Sequence, residues 1–117
     1  MQTIEIELSQ TQYEPGEIMT GRVVWNFSKA PKQISLQIAW HTEGRGSEDS
    51  HIEYEQHWDT DMHSGSQNFR FKLPPSPYSF SGTLIELIWS VSAFSKCGKE
   101  YTHTDIVVAP QKKVVKL

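Results

Sequence analysis

Cysteine is almost missing from this chain of 117 residues, which contains Cys97 alone. One cysteine cannot form an internal disulfide, and its scarcity fits a reducing compartment. We therefore expect the protein in the cytoplasm. Cys97 follows Lys96, a cation that could lower the pKa of the thiol, but an incidental cysteine in a turn is the simpler interpretation.

Long apolar runs and an excess of basic residues are also missing. No stretch approaches the roughly 20 apolar residues of a membrane helix. The apolar start of the chain is interrupted by Glu5 and Glu7 and lacks the basic residues of a signal peptide. The formal net charge of -3 argues against a nucleic-acid binder, whose binding face is basic. We expect no membrane span and no nucleic-acid partner.

Sequence motifs of enzymes are absent as well. We find no Gly-x-Ser-x-Gly elbow, no phosphate-binding loop and no dinucleotide fingerprint, and the spacing of Ser, His and Asp suggests no triad. We therefore expect a protein that is not an enzyme and that needs no cofactor.

Alternation of apolar and polar residues dominates what is present. It is clearest in residues 4–8, 34–41, 69–73 and 85–93, and Gly- or Pro-containing turns separate these segments. This pattern predicts an all-β, immunoglobulin-like antiparallel β-sandwich of about seven strands, with one domain over residues 1–117. The chain has enough large side chains for a core, and the tryptophans predicted to lie in it are Trp25, Trp40 and Trp89.

One predicted strand has an irregular pattern. Ile18 is out of phase with Val23 and Trp25, and Gly21 lies between the two phases. Glycine tolerates the backbone dihedral angles that a β-bulge can require. We therefore predict a bulge near Gly21.

Two segments resemble one protein family. The first reads Tyr13-x-Pro15-Gly16-Glu17-x-x-x-Gly21-x-Val23. The second reads Phe69-x-Phe71-x-Leu73-Pro74, then Pro77-x-Ser79-x-x-Gly82, then Trp89-x-Val91-x-Ala93. In this order they resemble arrestin-like domains, and bacterial proteins of the sporulation-control type are more similar than visual arrestins.

The resemblance implies one arrestin-like sandwich that acts as a non-enzymatic protein-interaction module, an adaptor or a regulatory subunit. It does not imply a particular partner. Arrestins have two such domains and this chain has one. No residue can be matched to their phosphate-sensing or receptor-binding residues, so none is transferred.

A strand predicted near residues 51–59 carries the one cluster of possible metal ligands. Strict alternation places five polar side chains on one face, namely His51, Glu53, Glu55, His57 and Asp59. Residues two apart on a strand face are about 7 Å apart, and such a row could bind a metal together with Asp61 or His63. A metal-binding protein or metal-dependent enzyme is therefore an alternative. We prefer an edge strand whose charges prevent pairing, and we predict no bound metal.

Two surfaces compete as the contact with a protein partner. Tyr78 and Phe80 lie in a proline-rich loop, where a stiff backbone could present them at low entropic cost. Residues 43–63 hold seven acidic side chains against the single cation Arg45, and Glu53 and Glu55 represent this surface.

Besides the interaction module and the metal-binding alternative, a third possible function is a homo-oligomeric structural subunit that associates through exposed strands.

Overall fold

The computed structural model describes residues 3–45, 48–82, 84–95 and 100–116, and the predicted turn around Cys97 lies outside them. Within these residues the chain forms ten strands and one 3₁₀ turn at Pro110–Lys112. The strands are β1 (Thr3–Leu8), β2 (Gln12–Tyr13), β3 (Ile18–Asn26), β4 (Lys32–Gly44), β5 (Ser50–Thr60), β6 (Ser64–Lys72), β7 (Phe80–Ser81), β8 (Ile85–Ser95), β9 (Tyr101–Val108) and β10 (Val115–Lys116). No helix in this part of the chain is long and apolar enough to cross a membrane.

The all-β prediction is confirmed, but the expected number of about seven strands is too low. Seven strands are six residues or longer, and the other three, β2, β7 and β10, contain only two residues each. Such short strands leave no alternating pattern that a sequence could reveal. The count was therefore right for the long strands alone.

The strands form two sheets. The small sheet has the order β1-β3-β6 and is antiparallel throughout. In the large sheet, β8 lies between β4 and β9, and β5 pairs with the far side of β4. The short strands extend this sheet, because β7 pairs with β8 and is joined in parallel by β10, while β2 runs parallel to β9. The predicted antiparallel pairing holds for the long strands.

The core lies between the sheets. Ile4, Val23 and Trp25 face inward from the small sheet, and Leu36 and Trp89 from the large one. Trp89 has no exposed surface. Trp40 and Trp58 are half-buried and pack against the edge of this core. For the five inward-facing residues the alternation therefore predicted the inward face as well as the strand.

The bulge predicted near Gly21 is wrong. β3 pairs with β1 and β6 without any change of register. Met19 takes the inward position and is fully buried, whereas Ile18 points outward. Gly21 instead allows a close approach, because a Cβ atom there would lie 2.6 Å from Cζ of Phe69 and 2.8 Å from the backbone oxygen of Glu7.

The Tyr-x-Pro-Gly-Glu motif forms the turn that leads into β3. Gly16 has φ +81°, and the N–H of Glu17 donates to the oxygen of Glu14 over 3.1 Å, as in a turn with proline before glycine. Tyr13 is fully buried, and its hydroxyl donates to the oxygen of Gln10 over 2.6 Å. Burial, and next the Glu17 carboxylate, raises the pKa of Tyr13.

The Glu17 carboxylate stabilises this turn. It accepts hydrogen bonds from the N–H of Glu14 (2.9 Å) and the side-chain amide of Gln10 (2.6 Å), and Nζ of Lys112 lies 3.9 Å away. The hydrogen bond from Glu14 is the largest of the contributions that lower the pKa of Glu17. Each of these interactions favours the ionised form of the carboxylate.

Candidate interaction surface

The proline-rich loop, residues 73–79, is fixed where it leaves β6 and again near its centre. Leu73 is buried, and its N–H donates to the oxygen of Glu17 over 2.9 Å. Further along, the indole Nε1 of Trp89 donates to the oxygen of Pro77 over 3.0 Å. A fully buried tryptophan therefore holds the backbone immediately before Tyr78.

Ser79 fixes the backbone immediately after Tyr78. Its N–H donates to the oxygen of Val108 over 2.7 Å, and its hydroxyl accepts from the N–H of Val108 over 3.0 Å. Its own oxygen accepts from the N–H of Val115 over 3.1 Å. Ser79 is buried, so these three hydrogen bonds are shielded from water.

The two predicted loop aromatics differ in exposure. Tyr78 exposes 41% of its surface and lies between the fixed residues Pro77 and Ser79. Phe80 is half-buried, pairs with Leu87 across β7 and β8, and packs against the core. Tyr78 is therefore the more exposed of the two loop aromatics, whereas Phe80 contributes to the sandwich.

Strand β5 contains a bulge that the alternation of its sequence hides. Tyr54 pairs with Ile38, and Ile52 pairs with the next residue of β4, Ala39. Glu53 is thus an extra residue without a partner in β4, which is the definition of a β-bulge. The two faces of β5 exchange at this point.

The prediction that His51, Glu53, Glu55, His57 and Asp59 share one face is therefore wrong. His51 pairs with Trp40 on the core side, and the centres of the two rings are 6.0 Å apart. Glu53 turns to the same tryptophan, whose Nε1 donates to its carboxylate over 3.2 Å. The bulge separates this pair of residues from the rest of the row.

The rest of the predicted row, Glu55, His57 and Asp59, faces away from the core. Glu55 accepts a hydrogen bond from the side-chain amide of Gln37 over 2.5 Å. Nδ1 of His57 lies 2.7 Å from the hydroxyl of Ser35, and its Nε2 lies 3.2 Å from Glu55. This face is a layer of hydrogen-bonded polar side chains.

The metal alternative loses the shared face on which it was based. Among the residues that the structure describes, no group of three or more His, Cys, Asp or Glu side chains lies close enough to hold a metal ion. His51 and Glu53 approach each other to 3.6 Å, but the bulge leaves Glu55 and His57 on the opposite side of the strand.

A chain of contacts connects the loop with one of the two acidic residues predicted to bind a partner. Glu53 accepts from Trp40, and Trp40 is the cross-strand neighbour of Trp89. Trp89 in turn holds Pro77, which precedes Tyr78. The sequence predicted Trp40 in the core and did not predict its contact with Glu53. The bulge that turns Glu53 toward Trp40 does not change the alternation of the sequence.

A comparison with solved structures confirms the predicted β-sandwich and, at the level of the fold, its resemblance to a protein of the sporulation-control type. The crystal structure of Spo0M, a sporulation control protein from Bacillus subtilis, matches 92% of this chain with a TM-score of 0.63 and 17% identity. The chain spans about half of that protein, 49% of its length. Comparisons with family models and with curated proteins give no match.

The same fold occurs within a much larger enzyme. A β-glucosidase from Listeria innocua, in complex with gluconolactone, matches 97% of this chain with a TM-score of 0.51 and 12% identity. The match covers 16% of the enzyme. At such low identity the likeness concerns the fold alone.

Proposed function

We propose that this protein is a non-enzymatic adaptor or regulatory module that binds a protein partner through the surface around Tyr78. The observation that carries the proposal is the contrast between this exposed side chain and its fixed neighbours. Pro77 is held by Trp89, and Ser79 is held by Val108. Binding would cost little conformational entropy, because the backbone on both sides is already ordered.

A tyrosine suits this role chemically. Its ring supplies a large apolar contact and its hydroxyl a hydrogen bond, and tyrosine is among the residues that dominate binding energy in interfaces. The fold supports the regulatory part of the proposal, because Spo0M is named as a sporulation control protein. The single Cys97 supports a reducing location, for which we propose the cytoplasm.

The two predicted acidic residues would contribute unequally. Glu55 is exposed on the polar face of β5, so its charge would chiefly affect the rate of encounter and the dependence on salt. The side chain of Glu53 is only 22% exposed and bonds to Trp40. It would act by holding Trp40 rather than by contacting a partner.

Affinity capture from extracts of the source cell tests the proposal with a matched pair of variants. Tyr78→Ala removes the proposed anchor, and Tyr101→Ala removes a tyrosine that is more exposed, at 59%, on β9. We expect Tyr78→Ala to reduce capture of the partner by about tenfold or more, because truncating an anchor side chain has an effect of this size. Tyr101→Ala should leave capture unchanged. Equal capture by wild type and Tyr78→Ala would refute the assignment. Phe80 is left intact because it packs against the core.

The two alternatives remain predictions with direct tests. A homo-oligomeric structural subunit would show a multiple of 13.4 kDa in solution. A metal-binding protein would retain close to one equivalent of metal after gentle purification and lose it in His51→Ala/His57→Ala. Either result would replace the adaptor proposal.

A further inference from the structure

We propose that the free edge of β6 binds an extended acidic peptide, which adds to the small sheet as a fourth strand. This second surface goes beyond the Tyr78 proposal and does not depend on it. Three observations support it: the outward direction of alternate backbone groups along β6, the protection of the other sheet edges, and two cations that pair with no described residue.

The hydrogen bonds at the two ends of β6 show which of its backbone groups are free. The N–H of Phe27 donates to the oxygen of His63 over 2.7 Å, and the N–H of Leu73 donates to the oxygen of Glu17 over 2.9 Å. In an antiparallel pair, alternate residues direct both backbone groups to the neighbouring strand. Odd-numbered residues of β6 therefore bond to β3, and the even-numbered ones direct N–H and C=O outward. These are Ser64, Ser66, Asn68, Arg70 and Lys72.

The other edges carry features that hinder strand addition, and β10 contains only two residues. β5 has the bulge at Glu53, and β1 is shorter, with Glu5 and Glu7 along it. The edge of β9 is partly occupied, because the N–H of Val107 donates to the oxygen of Thr11 over 2.9 Å. Bulges, charges, short strands and covering segments are the usual protections of an edge.

β6 has fewer of these protections, and its charges, Arg70 and Lys72, are confined to its last three residues. It pairs with β3 over nine residues without a change of register, and it contains no proline. Its first five residues carry no charge. The edge is therefore regular and long enough to template another strand.

The charges at the far end of β6 define the chemistry of the incoming strand. Arg70 and Lys72 project from the same face of the small sheet and are exposed. Neither forms a hydrogen bond or ion pair with any residue that the structure describes. Arg22 of β3 lies on the same face, opposite Asn68, and differs because it pairs with Glu7.

Carboxylates on alternate residues of an added strand would lie opposite these two cations, since directly opposed side chains share a face. This match holds for either direction of the strand. A basic strand would meet like charges at the same positions. The acidic peptide is therefore the occupant that this edge favours.

Amide hydrogen exchange tests the proposal on the whole chain labelled with ¹⁵N. The probe is a synthetic peptide of alternating threonine and glutamate, and the control is its threonine–lysine counterpart. We expect the acidic peptide to slow exchange of the outward amides of Ser66, Asn68 and Arg70 by about fivefold or more, because strand addition protects them. The amides of Gln67 and Phe69 already bond to β3 and should change little. The lysine peptide should have no effect.

A charge reversal sharpens the test. Arg70→Glu/Lys72→Glu should abolish protection by the acidic peptide and create protection by the lysine peptide. Arg70→Gln/Lys72→Gln should weaken protection by the acidic peptide and create none by the lysine peptide. Tyr78→Ala should bind the acidic peptide like the wild type, which keeps this inference separate from the loop proposal.

Several results would overturn the inference. These are protection on β1, β5 or β9 instead of β6, chemical-shift changes at Arg70 without slower exchange, and no change at millimolar peptide. Protection of the same amides without peptide, together with a dimeric mass, would assign the edge to a second copy of the chain.

Discussion

Strands β3 and β5 contrast in how their sequences relate to their backbones. β3 has a broken alternation and a glycine, yet it pairs regularly on both sides. β5 has an unbroken alternation of histidine and acidic residues and no glycine, yet it contains a bulge. Glycine in a strand can thus mark a close approach of a neighbouring side chain, and regular alternation does not guarantee a regular strand.

The physical reason differs between the two strands. In β3, Met19 occupies the inward position and Ile18 points outward, where an exposed isoleucine costs little. In β5, the extra residue is Glu53, whose carboxylate finds a donor in the indole of Trp40. A half-buried acidic side chain is acceptable there because it is hydrogen-bonded.

The largest expected loss of stability comes from the regular centre of the large sheet, and it should exceed the loss near the bulge. Trp89→Ala should lower the free energy of unfolding by about 3–5 kcal/mol, because it empties a fully buried site. Trp40→Ala, opposite the bulge, should cost roughly half as much because Trp40 is half-buried. Chemical denaturation measures both, and equal losses would mean that the bulge region is packed as tightly as the centre.

A smaller loss tests the regularity of β3. Gly21→Ala should destabilise the protein by about 1–3 kcal/mol, because the added Cβ atom meets Phe69 and the backbone of β1. Gly65→Ala is the matched control and should cost less, since the new atom would lie 3.0 Å from the ring edge of Trp25 and farther from any other atom. If Gly21→Ala left the free energy of unfolding unchanged, the backbone of β3 could move away from its neighbours, as a bulged strand can.

The turn that starts β3 should make stability depend on pH. The pKa of Glu17 is lower in the folded chain than its ordinary value of 4.5, so its stabilising contribution is present at neutral pH. It should disappear as the pH falls from about 4.5 through the lowered pKa. Glu17→Gln should lose about 1 kcal/mol at pH 7 and approach the wild type in acid. A constant difference between the two proteins across this range would contradict the assignment.

The smallest expected effect concerns the bulge itself. Deletion of Glu53 would place Ile52 directly before Tyr54 and restore regular pairing with β4. The cost should be about 1 kcal/mol or less, since one partly exposed hydrogen bond is lost. Deletion of Glu55 is the control, because it would move Tyr54 from Ile38 to Gln37, on the wrong face of the sheet. In thermal unfolding, the protein without Glu53 should have a clearly higher midpoint temperature than the protein without Glu55.

Sequence reasoning reached the fold because long alternating segments carry most of the core. Trp89 and Val91 could be assigned to the inside from their phase alone, and both are fully buried. The bulge at Glu53 could not be predicted, because it depends on the register with β4 rather than on β5 itself. The difference between Tyr78 and Phe80 was also hidden, since it arises from bonds that Ser79 makes with distant strands.

Those distant bonds have a consequence for the order of folding. Ser79 bonds to Val108, which is 29 positions away, and also to Val115, while Lys112 reaches back 102 positions to Gln10. Contacts of such high sequence separation form slowly, because a long loop must close before they are made. The surface around Tyr78 is therefore complete only when Val108 and Val115 are in place. A partner that needs this surface would distinguish finished molecules from partly folded ones.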